Sequence, residues 1–97
     1  MADGAAEFIV FLDNFLNMYP EYKNKFNSRK FFITGESYAG KYLPLFGKYI
    51  DNYRNNGGEI TLSAILVGNP FASPVTQRTN THNVGTALGI VDSYNMD

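Results

Sequence analysis

The chain has 97 residues, 44% of them apolar and 18% charged, which argues for one packed domain or part of one and against disorder. Eight Lys and Arg against nine Asp and Glu leave a net charge of −1, a poor match to nucleic acid as a partner. There is no cysteine for a disulfide or zinc–thiolate site, no run near the ~18 apolar residues of a membrane helix, and no basic-then-apolar signal after Met1.

The first predicted element is a helix from about Ala5 to Tyr19. Phe8, Phe11, Leu12, Phe15, Leu16 and Tyr19 recur at spacings of three and four, which sets them on one face. Asp3 is its expected N-cap and Pro20 its expected end. Glu21 to Arg29 is polar and reads as a short surface helix or loop. Lys30-Phe31-Phe32-Ile33-Thr34 is a bulky apolar run closed by Gly35, the pattern of a strand buried on both faces.

Tyr38, Tyr42, Leu45, Phe46, Tyr49, Ile50 and Tyr53 mark a second helix, and Pro44 is expected to split it into a short piece and a fresh start. Tyr42, Tyr49 and Tyr53 are spaced as a stripe and read as core packing. Asn55-Asn56-Gly57-Gly58 is a turn, Thr61 to Val67 a second strand, and Gly68-Asn69-Pro70 its close. A loop is expected through Pro74, then a weak helix from Thr79 to Leu88 ended by Gly89. Strand, helix and strand make a βαβ unit with parallel strands. A parallel sheet needs more than two strands and two covered faces, so this α/β architecture is incomplete by itself.

Gly35-Glu36-Ser37-Tyr38-Ala39-Gly40 lies between the first strand and the second helix, where it resembles a nucleophile elbow. On such a turn the serine backbone is strained, and only small residues fit two positions to either side. Gly35 and Ala39 meet that demand. The turn would expose the Ser37 hydroxyl at the C-terminal edge of the sheet, with a helix N-terminus behind it to favour developing negative charge. The Tyr38 backbone N–H is the expected oxyanion donor. Taken alone, Glu36 reads as a solvated turn residue. Asn69 shares the sheet edge with Ser37 and fits either a substrate contact or a plain turn. No dinucleotide, phosphate-loop or metal pattern is present, so no cofactor is expected.

Gly-Glu-Ser-Tyr-Ala-Gly followed by Lys41-Tyr42-Leu43-Pro44 is similar to the elbow of the serine carboxypeptidase family. The resemblance extends upstream to Phe11-Leu12, Tyr19-Pro20-Glu21-Tyr22 and Phe31-Phe32-Ile33-Thr34. Downstream it takes in Ala64 to Pro70, Pro74, Gln77 and Leu88-Gly89-Ile90-Val91-Asp92, so that it covers about residues 5 to 92. It implies a partial α/β-hydrolase domain over residues 1–97 with no second domain, and Ser37 as the acylating nucleophile. It also implies release of C-terminal residues from peptides at acidic pH, in a lysosomal, vacuolar or secreted setting. Glu36 matches the glutamate that holds the substrate's terminal carboxylate, a pairing of two carboxyl groups that needs a shared proton.

The fold's triad runs Ser, then Asp or Glu, then His. In the family, the acid and the histidine lie further along than Asp97. His82, the only histidine, matches neither and reads as a surface or packing residue. Asp51 and Glu59 are expected at the far end of the sheet from Ser37, so no triad forms within these residues and the chain alone is expected to be inactive. Two alternatives stay open: an acyltransferase or esterase on the same fold, or a non-catalytic truncated product that associates through its strand edges.

Overall fold

The computed structural model describes residues 1–92, arranged as one βαβ unit with helices before and after it. Helix α1 spans Ala2–Met18 and is followed by a single 3-10 turn at Pro20–Tyr22. Strand β1 is Phe31–Glu36, helix α2 Ala39–Asn55 and strand β2 Leu62–Gly68. Two short helices, α3 at Pro74–Thr79 and α4 at Thr81–Ala87, complete the order. β1 and β2 pair in parallel, with Ile33 opposite Ile65, Gly35 opposite Val67 and Glu36 opposite Gly68. The expected α/β class and parallel βαβ unit are both present.

Leu12 and Leu16 of α1, Ile33 of β1, Ala39, Leu43 and Ile50 of α2, and Ile60 form the buried core. α1 packs along α2, and the Phe8 and Phe46 rings stack with centroids 5.2 Å apart. α2 approaches the sheet closely because Gly47 has no side chain: a β-carbon there would stand 2.6 Å from Ile65 Cδ1. Asn24 is the one buried polar residue among the described residues. Its carboxamide accepts the Thr61 N–H at 2.8 Å and donates to the Arg29 and Thr61 carbonyls, tying the 23–30 segment to the start of β2.

Several boundaries differ from the sequence reading. Asp3 lies inside the first turn of α1, where its charge suits the helix dipole, and Met1 takes the N-cap position without a side-chain bond. Phe11 is 60% exposed, because it stands 100° round the axis from Leu12 and α2 covers a narrower stripe. Tyr19 falls past the helix end, at φ −127° and ψ 72°, and is exposed.

Pro44 does not split α2. It sits early in the helix, where it removes one bond (that to the Gly40 carbonyl) while packing on both sides holds the axis. Of the tyrosine stripe, Tyr42 and Tyr53 pack against the core and Tyr49 is half-buried. The expected turn at 55–58 is present, and it serves as the stop of α2. Gly57, at φ 96°, donates to Arg54, and Gly58 donates to Tyr53. The loop expected through Pro74 ends at Ser73, and residues 74–79 form α3 ahead of the helix expected from Thr79, with Pro74 in the first helical turn. Gly89, at φ 71°, stops α4 by the same bond pattern, with Gly89 donating to Thr86 and Ile90 to Gly85.

The radius of gyration is 19.2 Å and the long dimension 62 Å, against about 13 Å expected for the radius of a closed domain of this length. Among the described residues, α3 and α4 contact each other and no other helix or strand. The sheet face away from α2 is bare: Phe32 and Leu66 are 49% and 51% exposed, and both strands have an unpaired edge.

Candidate active site

β1 ends at Glu36 and α2 begins at Ala39, which leaves Ser37 and Tyr38 to make the whole turn between them. Ser37 has φ 55°, in the left-handed region that side chains with a β-carbon rarely adopt. Such a conformation persists only where its surroundings over-determine it. The Ser37 N–H donates to the Gly68 carbonyl at 3.0 Å, extending the β ladder by one bond. The Ser37 carbonyl accepts two N–H groups, from Phe71 at 2.8 Å and Gly40 at 3.1 Å.

Sterics complete the lock. A β-carbon on Gly35 would lie 2.5 Å from the Ala39 methyl and 2.9 Å from Leu43 Cδ1. Gly35 therefore makes the room that Ala39 uses, which is why alanine is accepted where the strict elbow pattern carries glycine. Gly40 faces the other side: its β-carbon would lie 2.6 Å from Pro70 Cβ and 2.9 Å from the Phe71 nitrogen.

Ser37 and Glu36 are both exposed at the C-terminal edge of the sheet. Among the described residues, the Tyr38 and Ala39 N–H groups donate to no other group, so both stand free at the N-terminus of α2. Asn69 follows Gly68 as Ser37 follows Glu36, and it too is left-handed, with φ 45°. Asparagine tolerates that conformation better than most residues, so the backbone alone gives Asn69 a reason to be there. It is exposed at the same edge as Ser37. An aromatic group adjoins the turn. The Tyr38 ring stacks on Phe71 at 6.4 Å and lies 6.2 Å from Tyr42, with Lys41 Nζ 5.6 Å from its centroid.

The other ionisable candidates lie elsewhere. Asp51 is near the far end of α2, ion-paired to Arg54 at 3.0 Å, about 20 Å of helix from the elbow. Glu59 pairs with Lys23 beside the start of β2, and its carbonyl accepts the Asn24 and Lys25 N–H groups. His82 is exposed on α4. The described residues thus bring no acid and histidine to Ser37, and among them no group of three or more metal-binding side chains occurs. No helix there is long and apolar enough to cross a membrane.

One functional feature escaped the sequence reading. The 70–73 loop reaches back to the elbow and is itself held by Gln77. A signal for it exists: Ser73, Pro74 and Gln77 form a helix start in which a glutamine reaches back to the capping residue, one residue longer than the usual capping box.

A model of the serine carboxypeptidase family matches residues 2–97. The chain belongs to that family. It is 38% identical over 90 residues to the probable serine carboxypeptidase CPVL of Dictyostelium discoideum, covering 91% of this chain and 17% of that protein. To carboxypeptidase Y of Saccharomyces cerevisiae it is 40% identical over 67 residues, covering 69% of this chain and 12% of that one. To the pheromone-processing carboxypeptidase KEX1 of the same yeast it is 36% identical over 81 residues, covering 79% of this chain and 11% of that one. No solved structure matches the chain at comparable significance. The carboxypeptidase family has the α/β-hydrolase fold, and the βαβ unit is a piece of it. The chain spans only between 11% and 17% of these relatives, which accords with a bare sheet face and an extended shape.

Proposed function

We propose that residues 1–97 are part of a single serine carboxypeptidase domain, the part that carries the nucleophile. In this reading the whole enzyme removes C-terminal residues from peptides through an acyl-enzyme on Ser37. The observation that carries it is the Ser37 backbone, left-handed at φ 55° and clamped between β1 and α2, with the Tyr38 N–H unpaired beside it. Ser37 Oγ attacks the scissile carbonyl, and the Tyr38 N–H, backed by the dipole of α2, stabilises the oxyanion. Glu36, next to Ser37 on the same edge, holds the substrate's terminal carboxylate through a shared proton, which gives an acidic optimum its cause. Asn69 contributes from the opposite strand as a second contact to that end of the peptide.

The base that activates Ser37 and the acid that orients it come from outside these residues, so the 97-residue chain by itself is inactive. The partner is a peptide with a free C-terminus, not nucleic acid or a membrane, and no cofactor takes part. A lysosomal, vacuolar or secreted location follows from the family resemblance. The test is turnover by the full-length gene product of a blocked dipeptide against a glucose ester. Release of the C-terminal amino acid at acidic pH, lost in Ser37→Ala, supports the peptidase; preference for the ester, with no amino acid released, turns the reading to an acyltransferase or esterase.

A further inference from the structure

We infer that Gln77 is a positioning residue for the nucleophile, acting through the 70–73 loop; the inference rests on Ser37 being that nucleophile. The Gln77 carboxamide makes three bonds to that loop. Oε1 accepts the Ala72 N–H at 2.9 Å and the Ser73 N–H at 3.0 Å, while Nε2 donates to the Pro70 carbonyl at 2.7 Å. Phe71 lies between these anchor points, and its N–H is the group that bonds the Ser37 carbonyl.

The dependence follows from what else holds this loop. Among the described residues, α3 and α4 contact no other helix or strand, so within them the loop is held by Gln77 and by the elbow itself. The elbow meets it through the Phe71 N–H, the Gly40–Pro70 contact and the stacking of Phe71 on Tyr38. Arg78 lies 5.8 Å from the Phe71 ring, so neighbouring residues of α3 hold both the backbone and the ring of this segment. Ser37 is in a conformation it would leave if released. Without Gln77 the loop loses its shape, Phe71 withdraws its N–H, and Ser37 relaxes away from the attacking geometry. Gln77 touches neither the Ser37 side chain nor the sheet, so its effect is on the orientation of the nucleophile.

The experiment compares Gln77→Met, Gln77→Ala and Gln77→Glu in the full-length gene product. Thermal midpoint, kcat and KM for a blocked dipeptide, and the second-order rate of labelling by a fluorophosphonate are read for each. Met keeps the volume and removes all three bonds; its kcat and labelling rate are expected to fall roughly tenfold to a hundredfold, as for a nucleophile displaced by about 1 Å. KM is expected to stay within about threefold, since substrate contacts are untouched. Glu keeps both acceptor bonds and loses the donor to Pro70, and is expected severalfold below wild type. A folded Met variant that reacts at the wild-type rate overturns the inference, as does a loss carried by KM alone. Should Met and Ala fail to fold, Glu decides: a wild-type rate there overturns it and the severalfold loss sustains it. If the wild-type protein is not labelled at Ser37, the nucleophile reading fails and this inference with it. Labelling at Ser37 that ignores Gln77 removes only the inference.

Discussion

The Ser37 carbonyl accepts the Phe71 N–H at 2.8 Å, joining the turn after β1 to the turn after β2. Each turn contains a non-glycine residue with positive φ, Ser37 and Asn69, and each supports the other. Two conformations that are unfavourable singly are stable as an interlocked pair, and the pair fixes where the Ser37 hydroxyl stands.

Gly40 is where this interlock is tightest. In Gly40→Ala the new methyl meets Pro70 Cβ, Pro70 Cα and the Phe71 nitrogen, all within 3.0 Å. Overpacking against backbone is expected to cost about 1–3 kcal/mol and to push the turns apart. Peptidase activity of the full-length gene product should fall more than its thermal midpoint would suggest. Adding Pro70→Gly should restore only part of the loss, because the two backbone atoms remain.

Ser37 carries backbone strain that its hydroxyl does not relieve. Ser37→Ala keeps the strain and Ser37→Gly removes it, so the glycine variant should be more stable than the alanine variant by about 1 kcal/mol. Both should be inert. Chemical denaturation of the two variants side by side measures the difference, and equal midpoints would deny that Ser37 is strained.

Asn24 supports the opposite end of the sheet. Asn24→Ala leaves the Thr61 N–H and the Arg29 carbonyl without partners, at a cost of about 1–3 kcal/mol. The loss should appear in the melting curve while the labelling rate of the folded fraction stays unchanged. A matching loss of labelling would show that the two ends of the sheet are coupled.

Tyr53 donates its hydroxyl to Asp13 Oδ1 at 2.8 Å and ties α2 to α1. Burial, then the Asp13 hydrogen bond, raises its phenol above the ordinary value of 10.0. A group whose folded pKa lies above its unfolded one stabilises the fold fully below the unfolded value and loses that contribution as pH rises through the folded one. Stability should therefore be flat with respect to Tyr53 up to about pH 10 and decline above it. Tyr53→Phe, about 1 kcal/mol less stable near neutrality, should lack that part of the alkaline decline in urea titrations run from pH 8 to 11.

The sheet, its crossover helix and the elbow were legible because each rests on local pattern. Phe31 to Thr34 is apolar, Gly35 and Ala39 are small, and Tyr42 to Tyr53 repeats at helical spacing. What failed to show depended on partners distant in sequence. Pro44 was read as a break, yet packing of Leu43 and Gly47 carries α2 past it. Phe11 falls on the apolar face by its spacing, but α2 covers a narrower face of α1. The hold of Phe71 on Ser37 cannot be seen in either segment alone, because it exists only once the strands are in register. Asp3 looked like a cap only because the helix was expected to begin later than it does.

The most direct measurement is to treat the full-length gene product with a fluorophosphonate and map the adduct by peptide mass. A single adduct on Ser37, absent in Ser37→Ala and absent when the 97-residue chain is treated alone, is the result expected. An adduct on another serine, or an active peptidase that survives Ser37→Ala, would contradict the assignment of the nucleophile.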